Sequence, residues 1–226
     1  MQLAIFNDIL SLGRSLQEYV DMFALTTGDL QRPILSVAAG GSSLGAELRS
    51  SNPAVTSLDP LYAQPPAAVE QRITQQLQCL EHMIDGGSPE WVWSYHGGKQ
   101  GLLASRTKTL HAFLDDYRLH HSSDKYLTDA LPFVATECTY DLCLCSHFLF
   151  LYCNLLDYDF HIASVRRLLE IANEIRIYPI MTQELVQYPQ LDTLRDELQQ
   201  KGVRSHRVPV PYRLRRGSDH MLVITH

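Results

Sequence analysis

Residues 33–62, PILSVAAGGSSLGAELRSSNPAVTSLDPLY, decide the fold. An apolar run (Ile34, Leu35, Val37, Ala38) meets small residues (Gly40, Gly41, Ser42, Ser43), and an amphipathic helix starts at Leu44. Asn52-Pro53 breaks that helix, and a second apolar run from Ala54 to Leu58 stops at Asp59. The order is strand, tight turn, helix, strand, acid. Small residues let a ligand approach the backbone without Cβ clashes and are expected to leave N–H groups at the helix start free to donate. A carboxylate about twenty residues past the turn returns beside the glycines, where it can accept the hydroxyls of a ribose. The pattern predicts a nucleoside-containing cofactor. A glycine turn alone carries less, since tight strand-to-helix turns need glycine for steric reasons.

Composition bounds the rest. The 226 residues, 45% apolar, suffice for one α/β domain with a sizeable core. The amino terminus, MQLAIFNDILSLGRSLQEYV, interrupts its apolar residues with Asn7, Asp8 and Arg14. It reads as amphipathic helix rather than as an export signal. No apolar run reaches membrane-spanning length, and five cysteines in such a chain favour free thiols in a reducing compartment. The expectation is a cytoplasmic protein with no membrane partner. A net charge of −6 argues against general nucleic-acid binding. Arginines 204, 207, 213, 215 and 216 crowd the segment RSHRVPVPYRLRRG. They read either as the exposed side of a hairpin or as a dock for an anionic substrate.

Working outward, one or two helices are predicted over 3–25, strands over 34–38 and 54–58, and a helix over 43–49. About sixty residues then separate Asp59 from the next strand, more than one crossover helix needs. This insertion, 60–124, holds predicted helices over 67–84 and 102–120 and the loop GGSPEWVWSYHGG between them. Trp91, Trp93 and Tyr95 of that loop are candidates to wall a substrate pocket, or else to cap a small helical core. Strands follow over 125–128 and 140–148 and helices over 162–172 and 191–201, with a strand over 175–180 between them. Two strands, 207–212 and 221–225, close the chain as an antiparallel hairpin. The whole, 1–226, is expected to be one α/β domain. Its seven-stranded, mostly parallel sheet carries helices on both faces, an amino-terminal helical cap (1–32) and the insertion, which can serve as a lid.

These residues resemble the class I S-adenosylmethionine-dependent methyltransferases. That family's acid–apolar–Gly–x–Gly–x–Gly turn is matched by Ser36, Val37, Ala38, Gly40 and Ser42, with only the middle glycine kept. Its ribose acid corresponds to Asp59, and its adenine-holding Asp-Ala pair to Asp129 and Ala130. Its LPF…(F/Y)D phrase corresponds to Leu131, Pro132, Phe133, Tyr140 and Asp141. The resemblance covers 33–58 and 125–226. It implies S-adenosylmethionine as cofactor, bound by Ala38, Gly40, Gly41, Ser42, Asp59, Pro60, Asp129, Ala130 and Ser146. Alanine and serine at two glycine positions are sterically mild if the turn keeps φ below zero there, and Ser36 lacks the family's acid. A degenerate turn also suits a non-catalytic binding module of the same fold. An NAD(P)-dependent oxidoreductase is the enzymatic rival, disfavoured by the closing hairpin and by the lack of room for a separate catalytic domain.

Methyl transfer from a sulfonium needs alignment above all, with a base only where the acceptor must lose a proton. The acceptor would lie beyond the carboxyl ends of the fourth and fifth strands. His147 is the candidate base by position and ordinary pKa range, and Tyr152 and His161 are further pocket candidates; a histidine beside Phe148, Leu149 and Phe150 can equally be a packing residue. A pocket with aromatic walls favours a small-molecule acceptor. Cys143, Cys145 and His147 stand about 6.6–6.8 Å apart along a straight strand, too far to converge on bonds of about 2–2.3 Å, so no metal is expected.

Overall fold

The computed structural model describes residues 9–87 and 89–226. Seven strands form one sheet: β1 (Ile34–Val37), β2 (Val55–Leu58), β3 (Tyr126–Leu127), β4 (Tyr140–Ser146), β5 (Ala172–Tyr178), β6 (Arg204–Pro209) and β7 (His220–Thr225). Their order is β3-β2-β1-β4-β5-β7-β6. β1 to β5 run parallel, while β7 lies antiparallel to both β5 and β6. The closing hairpin thus threads its second strand between the first and the parallel sheet. Order reverses at β1, which pairs with β2 on one side and β4 on the other, and ligands of open α/β sheets bind at such a switch point.

Among the described residues, six helices cover the sheet: α1 (Leu16–Phe23), α2 (Leu44–Leu48), α3 (Pro66–Asp85), α4 (Lys99–His120), α5 (Tyr158–Ile171) and α6 (Leu191–Gln200). Strand side chains alternate between the faces. Leu35, Val37, Cys143, Cys145, Ile175 and Ile177 pack against α5 and α6. Ile34, Leu142, Leu144 and Val223 pack against α1, α2 and the start of α4. A third cluster joins Val69 and Ile73 of α3 to Phe113, Leu114 and Tyr117 of α4, with Tyr62 and Tyr126.

The amino-terminal expectation is corrected in part. Of the helix predicted over 3–25, residues 3–8 lie outside the described residues, and 9–15 form a non-helical strap. The helix starts only at Leu16, because Ser15 and Glu18 form a capping box that closes its first turn. Residues 129–133 form a loop with a single Ala130–Phe133 bridge.

Candidate functional site

Register sets the site. Val37 pairs with Leu58 and with Cys145, so Ala38, Asp59 and Ser146 emerge side by side from the carboxyl ends of β1, β2 and β4. They line a cavity of about 110 Å³ together with Gly40, Pro60, Ala130 and His147. Six of the nine residues proposed for the cofactor therefore face one space.

The other three do not. Gly41 donates its N–H to the Ser11 carbonyl (2.8 Å), and the Ser42 hydroxyl donates to the Arg14 carbonyl (3.1 Å). Asp129 instead accepts the Ala135 N–H (2.9 Å). The strap lies on the glycine turn, backbone against backbone: a Cβ on Gly13 would sit 1.9 Å from the Gly41 carbonyl oxygen, and one on Gly40 2.6 Å from that of Ser11. The expectation of free N–H groups is corrected accordingly. Gly40 donates to Asp59 (2.9 Å) and Ser43 to Arg14 (3.2 Å), so the turn's donors are already engaged. Gly13, inside an otherwise helical pattern, was the signal for this contact.

Two departures from the family's turn now have physical content. Ala38 adopts φ +50°, so the condition for a sterically mild replacement is not met there, and the left-handed conformation costs an alanine about 1–2 kcal/mol. Buried Ser36 has its hydroxyl 3.0 Å from that of Tyr19, so a neutral pair takes the place of the missing acid.

Asp59 accepts one N–H on each carboxylate oxygen, from Gly40 (2.9 Å) and Leu61 (2.8 Å). Each oxygen keeps lone-pair capacity beyond that. Burial raises its pKa, opposed by those two hydrogen bonds. Leu58, Leu131 and Phe148 supply apolar walls around it. A carboxylate acceptor among apolar surfaces fits the hydroxyls and base of a nucleoside.

A second cavity, about 160 Å³, lies across the strap and shares Leu10, Leu12, Arg14 and His147 with the first. Trp91 and Tyr152 line it. Trp93 does not: it stacks on Trp91 (centroids 5.5 Å) and faces an open hollow instead. Tyr95 lines neither cavity, since its hydroxyl donates to Asp21 and its ring packs edge-on against Tyr212. His161 is fully buried in the core, its ring nitrogens 2.8 Å from the Leu149 carbonyl and 2.6 Å from that of Asp157. It is a packing histidine, not a pocket residue.

His147 stands between the cavities, its Nδ1 2.9 Å from the Ser146 hydroxyl. Burial first, then the charges of Arg14 and Arg106, hold its pKa well below the ordinary histidine value. The ordinary pKa range expected for this base is thus corrected; the imidazole is neutral and a weaker base. Behind it lies a buried polar cluster that sequence reading missed. Glu18 accepts from Arg106 (2.7 Å) and from the Tyr212 hydroxyl (2.9 Å). Burial would raise the Glu18 pKa, but Arg106 prevails and holds it at about 2. Its members come from α1, α4 and the loop after β6, too far apart in the chain for any local pattern to join them.

No protein-family model matches the chain. An uncharacterized protein of Methanocaldococcus jannaschii is 33% identical over 178 residues, covering 77% of this chain and 79% of its own. The methyltransferase domain of bacterial CtHen1-CN superposes with a TM-score of 0.50 at 11% identity, over 93% of this chain and 98% of that one. The Synechocystis PCC 6803 magnesium protoporphyrin IX methyltransferase with bound SAM gives 0.48 at 12% identity, over 93% and 77%.

Proposed function

The chain belongs to the family of the Methanocaldococcus jannaschii protein and has the class I S-adenosylmethionine-dependent methyltransferase fold, and on that premise we propose that it is a methyltransferase acting on a small-molecule acceptor. The observation that carries the reading is the pair of adjoining cavities meeting at His147, one against Asp59 at the switch point and one beyond β4 and β5. Bound in the first, S-adenosylmethionine would supply a sulfonium methyl with a good leaving group. Asp59 would take the ribose hydroxyls, and Leu58, Leu131 and Phe148 would flank the base. Ala130 and Pro60 complete that wall. Neutral His147 can accept the acceptor's proton on its imidazole, oriented by Ser146.

The second cavity is closed in by the strap, α3 and the loop after β6, which suits a small acceptor better than a polymer. No helix among the described residues is long and apolar enough to cross a membrane. The five cysteines carry free thiols, in keeping with a cytoplasmic setting.

Calorimetric titration with S-adenosylmethionine, S-adenosylhomocysteine and NAD tests the proposal. Both sulfur nucleosides should bind, and Asp59→Ala should weaken them about tenfold or more by removing a charged acceptor. NAD binding without response to either nucleoside would refute it in favour of an oxidoreductase; nucleoside binding with no methyl transfer to any metabolite fraction would favour a non-catalytic module.

A further inference from the structure

The second cavity has a charge imbalance. Arg14, Arg106 and Arg215 stand in its wall, and no carboxylate does among the described residues. Arg106 is matched by Glu18 (2.7 Å) and Arg215 by Glu90 (2.6 Å). Arg14 is anchored differently: its Nη1 donates to the Leu12 and Gly13 carbonyls (2.7 and 3.3 Å). These bonds fix the guanidinium but bring it no anion of its own, since the nearby charge of Glu18 is shared with Arg106. Its Nε is buried and has no hydrogen-bond partner among the described residues. The single charge of Glu18 faces two guanidinium groups, so the Arg14–Glu18–Arg106 cluster keeps a net positive charge.

A buried donor on a cation is costly to leave unmatched, and guanidinium keeps its proton rather than neutralise. Burial, then Arg106, lowers the Arg14 pKa, the direction expected of a cation short of an anion. A carboxylate entering the cavity would meet the guanidinium that stands in its wall and gain a charge-assisted hydrogen bond. Most of the remaining wall is apolar, Leu80, Trp91 and Met181 among it, with Thr182, Gln183 and Ser218 as neutral polar members. His147 shares the same space.

We propose that this cavity takes an aromatic or aliphatic carboxylic acid, its carboxylate anchored on Arg14, its apolar body against Trp91 and Leu80, and its methyl-accepting atom beside His147. The assignment of the cavity to the acceptor rests on the methyltransferase reading above, whereas the preference for an acid rests on Arg14 alone. The exposed arginines of 204–216 are not needed for it.

The test uses the full chain, with benzoate and phenylacetate as probes against benzamide and phenylacetamide, titrated with and without saturating S-adenosylhomocysteine. The acids should bind about tenfold or more tightly than their amides. Arg14→Met should abolish that preference, and Arg14→Lys should restore part of it, since an ammonium keeps the charge without the fork. Because Arg14 borders both cavities, S-adenosylhomocysteine is titrated against both variants as well. Amides binding as well as acids in the wild-type protein would overturn the proposal, whatever Arg14→Met does to folding. So would a variant that loses the nucleoside but keeps the acid preference, which would assign Arg14 to the cofactor. Failure of the wild-type protein to bind S-adenosylhomocysteine would instead refute the methyltransferase reading, and the acid-against-amide comparison would still decide the chemistry of the cavity.

Discussion

The two faces of the sheet are built on opposite principles. Against α5 and α6, Leu35, Cys143, Cys145, Ile175, Val165 and Leu168 form an apolar layer, and the histidine at its edge, His161, lies against two carbonyls. Against α1 and α4 the layer is apolar only toward the amino ends of the strands. Near their carboxyl ends it gives way to Glu18, Arg106, Arg14, Tyr212 and His147. Strand β4 serves both, because alternation sends Cys143 and Cys145 to one side and Leu142, Leu144 and Ser146 to the other. The lesson is that burial alone does not mark function. His161 is more buried than His147, yet it lies in the core with its ring nitrogens against main-chain carbonyls, whereas His147 opens on two cavities.

The sharpest way to break this contrast is Arg106→Met. The substitution takes from buried Glu18 its hydrogen-bonded guanidinium, leaving only the charge of Arg14, and should cost about 3–5 kcal/mol in chemical denaturation; a loss below about 1 kcal/mol would mean that water already reaches the cluster. On the opposite face, Leu168→Ala should cost about 2–5 kcal/mol through the cavity it leaves, with S-adenosylhomocysteine affinity unchanged. Coupling of that substitution to binding would show that the faces are not independent.

The two histidines separate next. His147→Gln should lower methyl transfer about a hundredfold, the lower end for a lost general base, with little change in stability. His161→Phe should do the reverse, losing stability through the Leu149 and Asp157 carbonyls while transfer persists. Equal losses of transfer in both variants would erase the distinction.

The smallest effect is in pH. Burial holds the His96 pKa at about 4, opposed by Glu18 and assisted by Arg106 and Arg14. The folded state therefore resists a proton that the unfolded chain accepts near 6.5. The stability this neutral histidine provides is present above that pH and lost as pH falls toward 4. The Tm should drop across this window, and His96→Gln should flatten the drop.

Much of the fold was legible because its signals are local. The apolar run before Gly40, the acid ending the run 54–58 and the Gly217 hairpin each encode an element within a few residues, and strand alternation places Asp59 beside Ala38 once β1 and β2 pair. Helix boundaries followed periodicity closely in α3, α4 and α6. The site was legible only in part. Trp93 and Tyr95 share a loop with Trp91, but that loop is pinned by Val92 donating to the Leu214 carbonyl (2.9 Å), a contact across 122 residues, and of the three only Trp91 lines the second cavity.

What the sequence determined by itself was the order of strands and helices, the switch-point edge and the carboxylate that stands on it, since each depends on propensity, periodicity and spacing along the chain. What only the tertiary structure decided was that Gly13 lies on Gly41, that Glu18 meets Arg106 and Tyr212, and that Arg14 stands between two cavities with no anion of its own. Those facts depend on close approach and desolvation between segments distant in the chain, and burial gives a charge its pairing cost only after the segments have met.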